Sequence, residues 1–231
     1  MPTLPRVYDA NWQKPTSICF WGDSVGDQCR LTLAVARKIN PDVFWLQVED
    51  PREELDTVEQ SILKQLPRDR LWSVTAPEFA PRPEVAQFAT WFYRSDLDAN
   101  ARLRGLADYM RLPILARDLL DDWSPSNPTR TIVIGRANRL APFYEPEERG
   151  IRPFVEAINQ YSTTPIFVFP SNRPPKNGRD ADYLLRVTVT GVGDLRKTKV
   201  HCELGASPGT PGLFHSGRSW EVDSLLAELA H

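Results

Sequence analysis

A short polar segment rich in small residues follows the first apolar run of the chain. Residues 16–21 (TSICFW) have the composition of a buried strand, and they lead into Gly22-Asp23-Ser24-Val25-Gly26-Asp27-Gln28-Cys29-Arg30-Leu31. A segment between a buried strand and a helix binds phosphate when it offers three things: glycines that let backbone amides wrap the anion, a Lys for charge, and a Ser or Thr for magnesium. This segment is therefore the first candidate for a binding site.

Three positions of the segment depart from what phosphate binding needs. With the apolar stripe of the next helix as a ruler, Gly22 takes the first glycine position, whereas Asp27, Gln28 and Cys29 stand where Gly, Lys and Ser or Thr are needed. Loss of the Lys removes about 4 kcal/mol of attraction at about 4 Å and an effective dielectric near 20, and Asp27 adds repulsion of similar size. The sequence predicts a degenerate phosphate loop with no cofactor. A purely local interpretation is that Gly22 and Gly26 permit a tight turn and Asp27 is the helix N-cap.

Apolar runs and helical patterns alternate over the first three quarters of the chain. We predict buried strands at 16–21, 43–48, 71–75, 131–135 and 165–169. The first helix carries the stripe Leu31, Ala34, Val35 and Ile39, and the second carries Leu55, Val58, Ile62, Leu63 and Leu66, with Glu53, Glu54 and Glu59 outside. Further helical patterns lie at 83–92, 97–123 and 151–158. This order predicts an α/β fold of three layers, with a mainly parallel sheet and helices on both faces.

The last quarter of the chain has a different pattern. Residues 183–190, 198–204 and 212–215 alternate apolar with polar side chains between Gly-rich turns, which predicts an antiparallel extension of the sheet. We expect a single domain over 1–231 with a core at about 12–222.

Composition excludes several classes of protein. The 41% hydrophobic and 25% charged residues are typical of a globular protein, and the net charge of −2 gives no bias toward nucleic acid or an anionic membrane. No membrane span or signal peptide is predicted, so we expect a cytoplasmic protein. Cys19, Cys29 and Cys202 form no CxxC pair, and with only three His residues neither a disulfide framework nor a metal site is expected.

Several weak matches, in order along the chain, carry a resemblance to a known family. Glu49 and Asp50 follow the second strand, Gly135 ends the strand 131–135, Ala181-Asp182 precedes YLLRV, and Val200-His201-Cys202-Glu203-Leu204-Gly205 matches a V-x-K-x-R-G strand without its two cations. Together with the degenerate loop, these matches resemble a RecA-superfamily domain of the KaiC/RadA-like branch over residues 12–222. Taken locally, Glu49 and Asp50 are a solvated acidic edge and Gly135 is a turn.

The resemblance implies a RecA-like P-loop architecture and a lost activity. In that family a Lys and a Ser or Thr in the loop, an Asp at the position of Gly135 and cations reaching a neighbouring subunit support ATP hydrolysis, and all four parts are replaced here. The implied function is that of a pseudo-ATPase, used as a protein-binding, assembly or regulatory module, with no catalytic residues and no metal.

A second interpretation is an enzyme. Gly22-Asp23-Ser24 also resembles the GDS block of SGNH (GDSL-type) esterases, with Ser24 as nucleophile and Asn138 near an oxyanion block. That family needs an Asp-x-x-His near the C-terminus to deprotonate the serine, and only Glu228-x-x-His231 approaches the pattern.

Four cations on the C-terminal strands are candidates for an interface. These are Arg186, Arg196, Lys197 and Lys199, which we expect to meet the acidic former nucleotide face of a second copy or another protein. Nucleic acid is a less favoured partner because the overall charge is negative and no aromatic residues are interleaved. Arg136, Arg139, Arg149 and Arg152 are expected in a solvated loop paired with Glu145, Glu147 and Glu148.

Overall fold

The structure, a computed structural model, describes residues 17–41, 43–49, 54–67, 70–75, 131–138, 164–171, 174–175, 181–191 and 196–230. The strands within these ranges are β1 (Ile18–Gly22), β2 (Val43–Glu49), β3 (Leu71–Thr75), β4 (Thr131–Gly135), β5 (Thr164–Pro170), β6 (Tyr183–Thr190), β7 (Lys197–Leu204) and β8 (Ser219–Glu221). The helices are α1 (Val25–Ile39), α2 (Thr57–Leu63) and α3 (Val222–Ala230). The predicted helices at 83–92, 97–123 and 151–158 lie outside the described residues.

The strands form one eight-stranded sheet in the order β3-β2-β4-β5-β1-β6-β7-β8. Every pairing from β3 across to β6 is parallel, and the pairings of β7 with β6 and with β8 are antiparallel. The predicted α/β class, mostly parallel sheet and antiparallel extension are confirmed. The carboxyl ends of β1, β4, β5 and β6 meet at one edge, so the turn after β1 lies between the ends of β5 and β6, where ligands bind in such sheets.

Both faces of the sheet are buried along β1. Ile18 and Phe20 on one face and Cys19 and Trp21 on the other are at most 4% exposed. The three helices share one apolar cluster with the face that carries Phe20, and α1 supplies Leu31, Val35, Ala36 and Ile39 to it, which confirms most of the predicted stripe. Burial of each Leu, Val or Ile side chain contributes about 1.5–3 kcal/mol, which is enough to fix α1 against the sheet.

The second helix differs from its predicted pattern. It begins after Asp56, whose side chain accepts hydrogen bonds from the amides of Val58 and Glu59, and it buries Ile62 and Leu63. Val58, predicted to lie on the apolar stripe, is 41% exposed, whereas Glu59, predicted to lie outside, is fully buried. The helical period alone places Glu59 on the solvent side, because the spacing of apolar residues carries no information about its buried ion-pair partner, Arg136.

The C-terminal quarter contains one wrong prediction and two missed elements. Residues 212–215 are not a strand, since His215 forms only an isolated bridge with Ala206. The third antiparallel strand is instead the short β8, and α3 follows it directly. Leu213 and Phe214 are buried, and Phe214 packs edge to face on Trp220 at 5.7 Å between ring centroids, so this apolar segment contributes to the core from a turn and not from a strand. Within the described ranges, no helix is long and apolar enough to cross a bilayer.

Candidate functional site

The turn between β1 and α1 is fixed by its backbone. Gly22 has a φ of +131°, and a Cβ there would overlap the carbonyl oxygen of Val187 on β6. The amide of Asp23 donates to the same carbonyl at 3.2 Å. Gly22 therefore allows the chain to turn tightly against β6, as the local interpretation of this residue predicts.

Gly26 serves a close approach of two helices. A Cβ at this position of α1 would lie 2.8 Å from Cβ of Val58 and 3.0 Å from Oδ1 of Asp56. Since real Cβ atoms do not approach so closely, any other residue at Gly26 would push α1 and α2 apart at their N-terminal ends. Both glycines of the loop thus have a structural role in bringing α1 next to β6 and α2.

The carboxylate of Asp27 is the centre of the turn. Its Oδ2 accepts hydrogen bonds from Ser24 Oγ at 2.7 Å and from Thr198 Oγ1 at 2.9 Å, and its Oδ1 accepts from Arg30 Nη1 at 3.1 Å. The side chain is 15% exposed and lies in the first turn of α1, where a negative charge is favoured by the helix dipole. The loop therefore holds an anion that belongs to the chain itself.

The N-cap of α1 is not the residue that the local interpretation named. The helix begins at Val25, so the N-cap position is Ser24, and Asp27 lies within the first turn. The Ser24 hydroxyl makes no capping hydrogen bond to the backbone, because it donates to Asp27 instead. The helical pattern alone could not distinguish these registers of the helix start.

Gln28 and Cys29, which stand where a phosphate loop has Lys and Ser or Thr, point into the protein. Gln28 is fully buried, and its Nε2 donates to the carbonyl of Gly22 at 2.8 Å, while its Oε1 has no partner among the described residues. Cys29 is 1% exposed, and burial followed by the nearby Glu59 raises the pKa of its thiol well above its usual range. These two side chains form the floor of the loop.

An open cleft of about 440 Å³ lies over this turn. Its lining carries Asp23, Asp27, Asp56, Glu221 and Asp223 against Arg30, Arg196 and Lys197, together with Ser24, Val25, Gly26, Val58, Thr198 and Val222. Arg30 is shared between Asp27 and Asp223, and Lys197 pairs with Glu221 at 3.4 Å. The cleft thus contains more carboxylates than cations, and most of its cations are already paired.

The end of β4 carries a second feature. Gly135 is required because a Cβ there would overlap Oε1 of Gln47 and lie 2.6 Å from Nε1 of Trp45. These two side chains are hydrogen-bonded at 2.9 Å, and Gln47 Nε2 donates to Glu59 at 2.8 Å. Gly135, where the resemblance implies an Asp, therefore borders a buried chain of hydrogen bonds.

Arg136 completes this chain. It adopts a φ of +55°, uncommon for a residue with a side chain, and it contacts both carboxylate oxygens of Glu59, through Nε at 3.0 Å and Nη2 at 2.8 Å. The prediction that Arg136 lies in a solvated loop is wrong, because its side chain is 8% exposed. The other residues of that predicted cluster lie outside the described ranges.

The remaining candidates of the site are only partly placed. Glu49 ends β2, next to Thr75 of β3, but Asp50 and His231 lie outside the described residues. Asn138 follows β4, which is two strands away from β1, or about 10 Å in a sheet. The described histidines are bonded elsewhere: Nδ1 of His201 lies 2.8 Å from Oγ of Ser219, and Nδ1 of His215 lies 3.2 Å from the carbonyl oxygen of Ser207. The hydroxyl of Ser24 instead donates to the carboxylate of Asp27.

The four interface candidates divide between two surfaces. Arg196 and Lys197 line the cleft beside Asp27. Arg186 and Lys199 are exposed on the opposite face of the sheet, with the guanidinium carbon of Arg186 4.8 Å from the ring centroid of Trp21. Alternation along β7 also places Lys197 on that face, together with Glu203 and Glu221, so acidic and basic residues are mixed there.

Comparison with known proteins assigns no family to this chain. No protein-family model matches the chain, and a comparison with curated proteins gives no match. Among the residues that the structure describes, no group of three or more His, Cys, Asp or Glu could hold a metal ion. The structure is an α/β fold in which the turn after β1 is occupied by the protein's own Asp27 carboxylate.

The sequence did not predict most of the side chains that contact Asp27, nor the partner of Arg136. Thr198, Arg30 and Asp223 surround Asp27, and Glu59 neutralises Arg136. Only the Asp27–Arg30 spacing of three residues on one helix was a usable signal in the sequence. The other contacts join residues far apart in the chain, and no local pattern reports them.

Proposed function

We propose that this chain is a RecA/KaiC-like pseudo-ATPase domain, with helices on both faces of its sheet, that acts as a protein-binding, assembly or regulatory module. The observation that carries the proposal is the Asp27 carboxylate, which accepts hydrogen bonds from Ser24, Thr198 and Arg30 at the start of α1. A phosphate group at the same helix end would meet this negative charge and would have to displace its donors. The domain therefore works without a nucleotide or other cofactor.

The end of β4 supports the same function. A hydrolytic site in a domain of this kind uses a carboxylate there to support magnesium, whereas this chain has Gly135 followed by Arg136, which forms a two-pronged ion pair with Glu59. The region is stabilised as part of the core, with Gln47 as a further donor to Glu59. An incubation of the protein with MgATP should release no phosphate above the buffer rate, and a protein-dependent release that is lost in Glu49→Gln would contradict the proposal.

Assembly of such a module must rest on direct side-chain contacts, since no nucleotide bridges two subunits. The candidates are the carboxylates of the cleft and the cations Arg186 and Lys199 on the other face, and contacts of this kind weaken as salt screens them. The contact joins the cytoplasmic module to a second copy or to another protein.

Light scattering of the purified protein tests the assembly. The wild type should show a larger mass at low salt than at high salt, and Arg186→Glu with Lys199→Glu should remove the difference. Lys64→Glu, a charge reversal at the exposed end of α2, is the matched control and should behave as the wild type. A wild type that is monomeric at every salt concentration and co-purifies with no protein would refute the assembly role.

The esterase interpretation has less support. Ser24 is 8% exposed, and its hydroxyl donates to Asp27. A serine nucleophile needs a base that accepts its proton and is itself oriented by a third group, whereas the carboxylate beside Ser24 already accepts hydrogen bonds from Thr198 and Arg30.

A further inference from the structure

One face of the sheet is open at its C-terminal end. Val187, Val200 and Cys202 of β6 and β7 are buried in the cluster with the helices, so alternation along the strands places Arg186 and Lys199 on the opposite face. Both are exposed there, although Trp21 on the same face of β1 is only 4% exposed. Leu184, on the same face of β6, is also buried, so the cover over this face ends along β6, between Leu184 and Arg186.

We define the basic sheet face as Arg186, Lys199 and His201. Arg186 lies directly across from His201 in the β6–β7 ladder, and Thr188 lies across from Lys199. Within the described part of the chain, neither Arg186 nor Lys199 takes part in an ion pair. Stacking on Trp21 occupies one flat side of the Arg186 guanidinium and leaves the N–H groups in its plane able to bind an oxyanion.

The two acidic residues of this face are already engaged. Glu203 accepts a hydrogen bond from Nε1 of Trp21 at 3.1 Å, and Glu221 pairs with Lys197. Glu221 lies across from Lys199 in the β7–β8 ladder but pairs with Lys197, so among the described residues neither Arg186 nor Lys199 has an ion-pair partner, and both can bind a carboxylate from outside. A surface of fixed cations with occupied carboxylates complements a partner that carries separate negative charges.

We propose that the basic sheet face binds an extended, acidic segment of a partner protein, with carboxylates at alternate positions. Lys199 and His201 are two residues apart on β7, which is about 6.7 Å along a strand, and an extended peptide repeats its side chains on one side at the same distance. The segment's carboxylates therefore align with Lys199 and with the His201–Arg186 pair. This inference specifies the class of partner that the module proposed above would bind. It rests on that proposed function only in one respect, namely that the chain acts by binding another protein.

The face suits a peptide better than a nucleic acid. Single-stranded nucleic acids bind through exposed aromatic rings on which bases stack, and the ring on this face, Trp21, is covered. Glu203 and Glu221 lie among the cations, so a continuous polyanion would meet them as well. Separate carboxylates on an extended peptide avoid that repulsion.

A titration followed by backbone amide NMR tests the proposal. The probe is a synthetic peptide, Thr-Glu-Thr-Glu-Thr-Glu-Thr with blocked ends, and the control peptide carries Gln at each Glu. The Glu peptide should give saturable shifts of β6 and β7 amides at low salt, and Arg186→Gln or Lys199→Gln should each weaken binding about threefold to fivefold. Lys64→Gln, at the end of α2, should leave the affinity unchanged.

Several outcomes would overturn the proposal. These are equal shifts with the Gln peptide, shifts confined to residues outside β6–β8, no saturation, or tighter binding of a ten-residue oligothymidine than of the Glu peptide. A second copy as the natural occupant would show as a salt-dependent dimer that Lys199→Gln dissociates and with which the Glu peptide does not compete. The absence of MgATP binding is measured separately, so this proposal can fail while the pseudo-ATPase proposal stands.

Discussion

Arg136 and Glu59 form a two-pronged ion pair in the core, with N···O distances of 3.0 and 2.8 Å between residues 77 apart in the chain. The Glu59 side chain is fully buried, and the Arg136 side chain is 8% exposed. The pair joins α2 to the end of β4, where Arg136 adopts a positive φ. It therefore fixes the position of α2, and with it the wall of the cleft that carries Val58 and Asp56.

Removing one member of this pair should destabilise the protein strongly. Arg136→Met leaves the Glu59 carboxylate buried without its cation, which should lower the free energy of unfolding by about 3–5 kcal/mol. The double variant Arg136→Met with Glu59→Leu should lose less, because no buried charge is left unpaired. Urea unfolding of both variants measures the difference, and an Arg136→Met protein as stable as the wild type would contradict the arrangement.

Gly135 should not accept a side chain without a loss of stability. Gly135→Ala should cost about 3 kcal/mol, since its Cβ would displace Gln47 from Trp45 and leave buried polar atoms without partners. Gly217→Ala is the comparison, because Gly217 has a φ of +79° but open space around it, so only backbone strain of about 1 kcal/mol is expected. Thermal or urea denaturation gives both values. An equal loss in the two variants would show that the overlap at Gly135 is relieved at no cost.

The cysteines should be unreactive in the native protein. Burial, followed by the charge of Glu203, raises the pKa of the Cys202 thiol to about 12, and burial also raises the pKa values of Cys19 and Cys29. Alkylation by iodoacetamide should be negligible between pH 7 and 9 in the folded state and complete in denaturing urea, as mass spectrometry would show. Rapid labelling of native protein at pH 8 would show that a thiol is accessible.

These thiols also give a pH dependence of stability. In the unfolded chain they ionise near pH 8.5, whereas in the folded chain they keep their protons, so above that pH the unfolded state binds fewer protons than the native state. The free energy of unfolding should be unaffected by the thiols below about pH 8 and should decrease from there toward pH 12. Cys202→Ala, compared with the wild type by urea unfolding at pH 7 and pH 10, should show a smaller decrease.

Hydrolysis of short-chain nitrophenyl esters should not depend on Ser24. The Ser24 hydroxyl donates to Asp27, so Ser24→Ala removes a donor to that carboxylate but no nucleophile. We expect equal rates for the wild type, Ser24→Ala and Thr198→Val, the last being a matched loss of a donor to the same carboxylate. A rate that only Ser24→Ala abolishes would establish the esterase interpretation instead.

Period and composition predicted the elements of this fold better than its site. The strands 71–75, 131–135 and 183–190 were predicted at their observed bounds, because apolar runs and apolar–polar alternation between turns are local signals. Glu59 and Arg136 were misplaced because a charged residue is assigned to the surface unless its partner is known, and the partner here is 77 residues away. The replacements at Asp27 and Gln28 were visible in the sequence, but that Thr198 donates to Asp27 depends on the pairing of β6 with β7.

The central claim, that the first turn holds its own carboxylate in place of a nucleotide, is tested most directly by calorimetric titration with MgATP. The wild type should give no saturable heat at ligand concentrations up to about 1 mM. Asp27→Gly, which removes the repelling charge and leaves Ser24, Thr198 and Arg30 with no acceptor at that position, should bind MgATP or inorganic phosphate more tightly than the wild type. A micromolar dissociation constant for MgATP in the wild type would contradict the account.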